Sequence, residues 1–245
     1  MKNSEISTTL RELLSLEASP IAVKFIGSDT PLEDIPVGPA QRHRYCQGLM
    51  KAKKGEMLTL TKETLSCPAA AAAFGFSPLP FKISSGEMLR SLGLFESKEV
   101  AAKLMKNMPR LEEGIYNAIS LAPLEKADYT PHVLVIEDDP EKIMWINLAS
   151  IHGAGDRLVF NSAIFQACCV DVTVIPFLTD RVNASFGCYG CREATDLRDD
   201  EGLVGIPFEK LEVIIGALES LSKKAIPSVR NKGVYRQFES SSETR

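Results

Sequence analysis

Pro20-Ile21-Ala22-Val23-Lys24-Phe25-Ile26 and His132-Val133-Leu134-Val135-Ile136-Glu137-Asp138 decide the fold class. Each is a short, nearly continuous apolar run rich in β-branched residues, which reads as a buried strand. The first begins at a proline, a position a strand tolerates. The second runs into Asp139-Pro140, an N-cap residue followed by proline at the first helical position. Ile143, Met144, Ile146 and Leu148 carry that helix onward, with Asn147 as a polar interruption.

Working outward, Ile6, Leu10, Leu13 and Leu14 lie at helical spacing ahead of Pro20. Residues 27–39 hold three prolines and two glycines and read as a loop. Residues 40–54 suit a helix closed by Lys53-Lys54-Gly55. Residues 57–61 alternate apolar side chains with threonine, a strand pattern. Cys67-Pro68-Ala69 opens an alanine-rich helix that Gly75 ends. Residues 84–113 read as one or two helices, 123–131 as a connector, 157–160 as a strand, 163–168 as a short helix and 169–177 as strand-like. Residues 183–186 lead to Cys188, and 207–221 form an amphipathic helix. Residues 227–245 are a polar tail, expected to fray.

This alternation predicts an α/β chain, with α+β as the other arrangement, built on a mixed sheet flanked by helices. Residues 1–226 are expected to form one globular domain. Two halves, about 18–125 and 126–226, share a β-α-β order. In the first, strands at 22–25 and 57–61 lead to Cys67. In the second, strands at 133–136 and 157–160 lead to Cys168 and Cys169. Internal duplication accounts for the match, and so does chance recurrence of a common unit.

The 245 residues carry 28 Lys+Arg against 32 Asp+Glu, a formal net charge of -4, which argues against non-specific nucleic-acid binding. The N-terminus lacks a basic segment followed by an apolar core, and no apolar run reaches a membrane-spanning length. The expectation is a cytoplasmic protein with reduced cysteines and neither a nucleic-acid nor a membrane partner.

The cysteines are Cys46, Cys67, Cys168, Cys169, Cys188 and Cys191. Cys188-Tyr189-Gly190-Cys191 lets two thiolates converge on one metal or cluster, and Gly187 and Gly190 free the backbone to turn N–H groups towards sulfur. At least one of these glycines is expected at positive φ, with Arg192 offering a charge to anionic sulfur. Cys67-Pro68 at a helix start favours a thiolate. A structural zinc site needs two close pairs, and only one is evident. A thioredoxin-like C-x-x-C belongs near the first strand of its fold, and this one comes late. An iron–sulfur cluster accepts thiolates scattered in sequence, which suits Cys46, Cys67, one of Cys168 and Cys169, and Cys188 or Cys191. Buried cysteines acting only as small apolar residues are the plain alternative.

His43 precedes Cys46 and could assist it, His132 opens a strand, and His152 lies in a turn. No Ser/His/Asp set and no phosphate-cradling glycine loop is present. The acidic run from Asp196 to Glu201 lacks EF-hand spacing and reads as a solvated approach to the last helix.

The sequence resembles the DUF169 family of uncharacterised prokaryotic proteins over most of its length. The resemblance rests on residues 20–25, Tyr45-Cys46, Leu58-Thr59-Leu60, Ser66-Cys67-Pro68, Cys169-x-Asp171, Ile175-Pro176-Phe177-Leu178-Thr179, Phe186-Gly187-Cys188-Tyr189-Gly190-Cys191-Arg192 and Gly205-Ile206-Pro207. It implies that Cys46, Cys67, Cys169 and Cys188 belong to the shared pattern, and these four are the expected metal ligands. Cys168 is the extra one, and Cys191 is a cofactor-pocket residue of unassigned role.

The leading expectation is a protein binding an iron–sulfur cluster, or zinc as the alternative, through thiolates from both halves, with a redox partner and an electron-transfer role. The rival is a metal-free enzyme or binding protein. There, loops at 152–155 and 187–190 line a small-molecule pocket, and Cys67 acts as nucleophile. A structural oligomer component is the third reading.

Overall fold

The strand expected at residues 132–138 is observed at Val133–Asp138, at the middle of a six-stranded sheet. The computed structural model describes residues 1–31 and 41–242. The strands are β1 (Ile21–Gly27), β2 (Leu58–Thr61), β3 (Tyr116–Pro123), β4 (Val133–Asp138), β5 (Asn183–Ser185) and β6 (Gly202–Pro207), in the order β2-β3-β1-β4-β6-β5. Every pairing of these strands is antiparallel, so the expected mixture of directions is absent and the architecture is α+β. A parallel neighbour would need a crossover back to the same end of the sheet. Here the chain re-enters each pair from the opposite end.

Side-chain alternation along the central strands divides the core in two. Val133 and Val135 face one layer with Ile21, Val23, Phe25, Ile119 and Leu121. Leu134 and Ile136 face the other with Ala22, Ala122, Val204 and Ile206. Each fully buried valine or leucine contributes roughly 1.5–3 kcal/mol over exposure. The second layer is covered by α1 (Asn3–Leu14), by a helix at Pro140–Ile151 and by one at Leu211–Ser222. The first is covered by α2 (Tyr45–Lys53), α3 (Pro68–Ala73), the small helices α4 (Phe81–Ser84), α5 (Glu87–Ser91) and α6 (Lys98–Lys106), and by a π-helix, Ala167–Val174. The helices after α6 are α7 (Pro140–Ile151), α8 (Ile175–Thr179), α9 (Tyr189–Ala194), α10 (Leu211–Ser222), α11 (Ala225–Asn231) and α12 (Gly233–Ser242). The loop expected at 27–39 and the last residues of the tail lie largely outside the described residues.

The α7 start is as the sequence specifies. Asp139 is the N-cap, its carboxylate accepting from the Lys142 N–H at 3.1 Å, and Pro140 opens the helix. Three expectations are corrected. Residues 157–160 form no strand, and Val159 is 82% exposed. Residues 163–166 are not helical; Gln166, with φ 58°, precedes the π-helix, which takes in Ala167 and Cys168. Residues 169–177 are helical despite their β-branched content, because their side chains are buried against the sheet and tertiary packing overrides propensity. The tail is also better held than expected. Arg230 of α11 donates to the Glu141 carboxylate at 3.0 Å and to the Leu14 carbonyl at 2.8 Å.

The strand registers repeat about the β1–β4 pair. Ile21 faces Pro123 as Val133 faces Pro207, and Leu58 faces Leu121 as Asn183 faces Gly205. After each proline comes a 3-10 turn, Leu124–Lys126 or Phe208–Lys210. Its first N–H bonds the carbonyl just before the opposite strand: Leu124 to Pro20 at 2.8 Å, and Phe208 to His132 at 3.0 Å. The counterpart of β2 is therefore β5, not residues 157–160.

Candidate functional site

All six cysteines line one cavity of about 400 Å³ on the layer that carries α2, α3 and the π-helix. None is in a disulfide; five are buried and Cys67 is half-buried. Each sits at the start of a helix. Cys46 is the second residue of α2, and Cys67 is the N-cap of α3 with Pro68 behind it. Cys168 and Cys169 lie in the first turn of the π-helix. Cys188 is the N-cap of α9, and Cys191 lies within it. The C-x-x-C pair thus opens a helix after all, although late in the chain.

The sheet fixes these positions. Gly48 of α2 meets Leu121, Leu60 and Leu58, so that helix lies close on β2 and β3. On the other side Gly205 of β6 leaves room for the π-helix: a Cβ there would stand 2.1 Å from the Val172 carbonyl oxygen. Tyr45 and Thr173 join the two helices through a buried hydroxyl–hydroxyl hydrogen bond of 2.9 Å. Thr173 in turn donates to the Cys168 carbonyl at 2.8 Å.

Cys191 is the electrostatic centre. The thiols of Cys168 and Cys188 hydrogen-bond its sulfur and hold its pKa well below the ordinary thiol range, against the opposing effect of burial. The Cys188 N–H adds a bond of 2.9 Å. When protonated, Cys191 can donate to the Cys188 carbonyl at 3.2 Å. The same hydrogen bonds, followed by burial, raise Cys168 and Cys188. Burial pushes Cys46 up to about 12 and also raises Cys169. These hydrogen bonds favour the thiolate of Cys191, to which sequence reasoning assigned no role.

Gly187 has φ 85°, as required of at least one of the two loop glycines. Gly190 is helical, and a Cβ there would meet nothing within 4 Å. Arg192 does not turn its guanidinium to sulfur. It is a clamp, donating to the carbonyls of Phe186 at 2.6 Å, Arg198 at 2.9 Å and Glu201 at 3.0 Å. At the rim Arg44 pairs with Glu193 at 3.4 Å and reaches the Gly190 carbonyl.

The histidines stand outside this chemistry. His43 pairs through its backbone with residues 64 and 66, and among the described residues its buried Nε2 has no hydrogen-bond partner. His132 Nδ1 accepts from the Phe25 N–H at 3.1 Å. His152 ends α7, and residues 152–155 do not line the cavity. The run 196–201 is exposed at Asp196, Arg198, Asp199 and Asp200, as expected of a solvated approach, and buried at Leu197 and Glu201. Asp196 pairs with Lys54, and buried Glu201 pairs with Lys53 at 2.9 Å.

Two buried carboxylates carry no signal in the sequence. Glu137 alternates onto the cysteine layer of β4, 3.6 Å from Lys53, and burial pushes its carboxyl up to about 7. Asp171 accepts from Ser162 at 2.6 Å and Ser185 at 2.8 Å, and burial raises it. A charged residue ending an apolar strand gives Glu137 no distinguishing mark, and only knowledge of β5 would place Ser185 beside Asp171.

All six thiols line this one cavity. Among the described residues no group of three or more His, Cys, Asp or Glu side chains is arranged to hold one metal ion. The donor set is thiolate, the ligand type that iron–sulfur clusters and zinc share. Among the described residues no helix is long and apolar enough to cross a membrane.

Comparisons with known proteins agree with the resemblance read from the motifs. The DUF169 family model, described as uncharacterised ArCR, matches residues 9–217. An uncharacterised protein of Methanocaldococcus jannaschii, MJ0308, is 29% identical over 220 residues, covering 88% of this chain and 93% of its own. No solved structure matches. A family match that spans the whole sheet and all six cysteines leaves one conclusion: the chain belongs to the DUF169 family.

Proposed function

We propose that the cavity holds an iron–sulfur cluster and that the protein works in electron transfer. The observation carrying this reading is that six cysteines from four separate segments line one cavity. Cys46, Cys67, Cys169 and Cys188 would be the ligands, with Cys191 beside them. A bound cluster would supply one-electron chemistry. The chain's own contribution is burial, which tunes potential, and backbone N–H groups at the helix starts, which favour anionic sulfur. Zinc is the alternative metal. A cytoplasmic setting, where thiols stay reduced, and a redox partner belong to the same proposal.

The repeated registers support reading residues 18–125 and 126–226 as duplicated halves within one domain. Each half supplies a cysteine on the helix before its edge strand (Cys46; Cys168 and Cys169) and one at the N-cap of the short helix after it (Cys67; Cys188). Two such pairs facing each other would make a four-thiolate site.

The test is anaerobic reconstitution with iron and sulfide, followed by visible and electron paramagnetic resonance spectra. Wild type is expected to give cluster spectra, and Cys46→Ser and Cys169→Ser to lose them while keeping the fold by circular dichroism. Unchanged spectra in both variants would defeat the ligand assignment.

A further inference from the structure

The thiols occupy only part of the cavity lining. Much of the rest is apolar: Ile83 of α4, Met88 of α5, Leu92 at the end of that helix, and Phe165 ahead of the π-helix. Their exposure is graded, from Leu92 at 48%, through half-buried Met88 and Phe165, to buried Ile83. Among the described residues the lining has two charged side chains, Arg44 and Glu193, and these pair with each other at 3.4 Å. Phe165 is set in place by its backbone. Its neighbours Ile164 and Gln166 both have positive φ, 53° and 58°. A β-branched residue in that conformation is strained. Ile164 is itself 52% exposed, so its own burial does not offset the strain, and what the conformation secures is the position of Phe165. The segment is pinned on both sides. Ser162 Oγ donates to the Asp171 carboxylate at 2.6 Å, and the Val170 N–H donates to the Gln166 carbonyl at 2.8 Å.

We propose that this wall binds an organic ligand, a small uncharged molecule built on one aromatic ring, which enters past Leu92 and lies against Met88 and Phe165 beside the thiols. Such binding goes beyond the cluster reading and needs no iron. Size sets the first limit. Roughly 150 Å³ is enough to hold a benzene ring. The cavity measures about 400 Å³, so it takes such a ring with space left at the thiol end. Side-chain chemistry sets the second. The Met88 thioether and the Phe165 ring both make favourable contacts with an aromatic face or edge. Charge sets the third. An ion would lose its hydration against apolar side chains, with Arg44 and Glu193 already engaged.

The experiment titrates three molecules of matched size, 4-fluorobenzyl alcohol, 4-fluorobenzoate and 4-fluorobenzylammonium, into the iron-free, reduced full chain. Binding is read by fluorine NMR and by the shifts of isotope-labelled methionine methyls. The alcohol is expected to saturate a single site per chain and to shift the Met88 methyl, assigned by its loss in Met88→Leu. Both ions are expected to bind about tenfold more weakly. Leu92→Asp, at a half-exposed position, and Phe165→Ala are each expected to weaken the alcohol about fivefold with circular dichroism unchanged. No saturable binding of the alcohol, equal binding of either ion, a Met88 methyl that does not move, or unchanged affinity in both variants would overturn the proposal. Because iron is absent throughout, none of these outcomes bears on the cluster.

Discussion

The Cys188 N–H points at the Cys191 sulfur at 2.9 Å, within a helix whose N-cap is Cys188 itself. Together with two thiol donors, this holds the Cys191 pKa well below the ordinary thiol range. Iodoacetamide labelling of the iron-free protein should therefore persist at pH 5–6, where an ordinary thiol of pKa about 8.5 is almost wholly protonated. Peptide mapping should place the label on Cys191, and Cys191→Ser should abolish labelling in that range. Labelling that rises only above pH 8 would contradict the assignment.

Gly187 and Gly190 should separate cleanly. At Gly187 the φ of 85° strains any other residue, and a Cβ would stand 2.9 Å from Leu197 Cδ2 and 3.2 Å from Arg192 Nε. Gly187→Ala is expected to cost about 1–2 kcal/mol in urea unfolding. Gly190→Ala, helical and facing open space, is expected to be neutral or to stabilise by up to about 1 kcal/mol.

Glu137 gives a pH signature. Its folded pKa of about 7 lies above the unfolded value, so the folded state binds more protons between those two values. Stability should then fall as pH rises from about 4.5 to 7, by roughly 1–3 kcal/mol. Glu137→Gln should remove that decline, as read from denaturant midpoints at pH 5 and pH 8.

Gly205→Ala should drive the π-helix off the sheet, since its Cβ would meet the Val172 carbonyl carbon at 2.6 Å and the oxygen at 2.1 Å. A loss of about 3 kcal/mol is expected, with faster alkylation of Cys168 and Cys169 as their helix lifts.

Much of the frame is legible in the sequence where local chemistry and tertiary role coincide. Residues 133–136 are apolar on both faces because both faces are covered. Asp139-Pro140 and Cys67-Pro68 start helices through interactions within one turn. The strands β3 and β6, which flank the central pair, escape such reading. Ala118, Ser120 and Ala122 in one, and Gly202 and Gly205 in the other, are small where helices and strands come close. Close approach depletes the β-branched residues that mark a strand. The run 169–177 misleads in the opposite sense, since Val170, Val172 and Val174 are β-branched for packing yet helical.

At the site, the residue types and the glycine-bearing loop are readable, but the electrostatics are not. Cys67 has the sequence features of a helix-start thiolate. The lowered pKa of Cys191 owes most to Cys168, which is distant in sequence and on a π-helix whose later residues propensity assigns to a strand. Arg192 shows the same limit: adjacency to Cys191 suggests charge compensation, whereas the folded loop spends its guanidinium on three carbonyls.

The most direct test of the central claim is the iron and acid-labile sulfide content of the wild-type chain isolated without exposure to oxygen. A cubane cluster held by the cavity predicts about four of each per chain, with a brown colour lost on exposure to air. A colourless protein that carries neither, and takes up neither on anaerobic reconstitution, would contradict it.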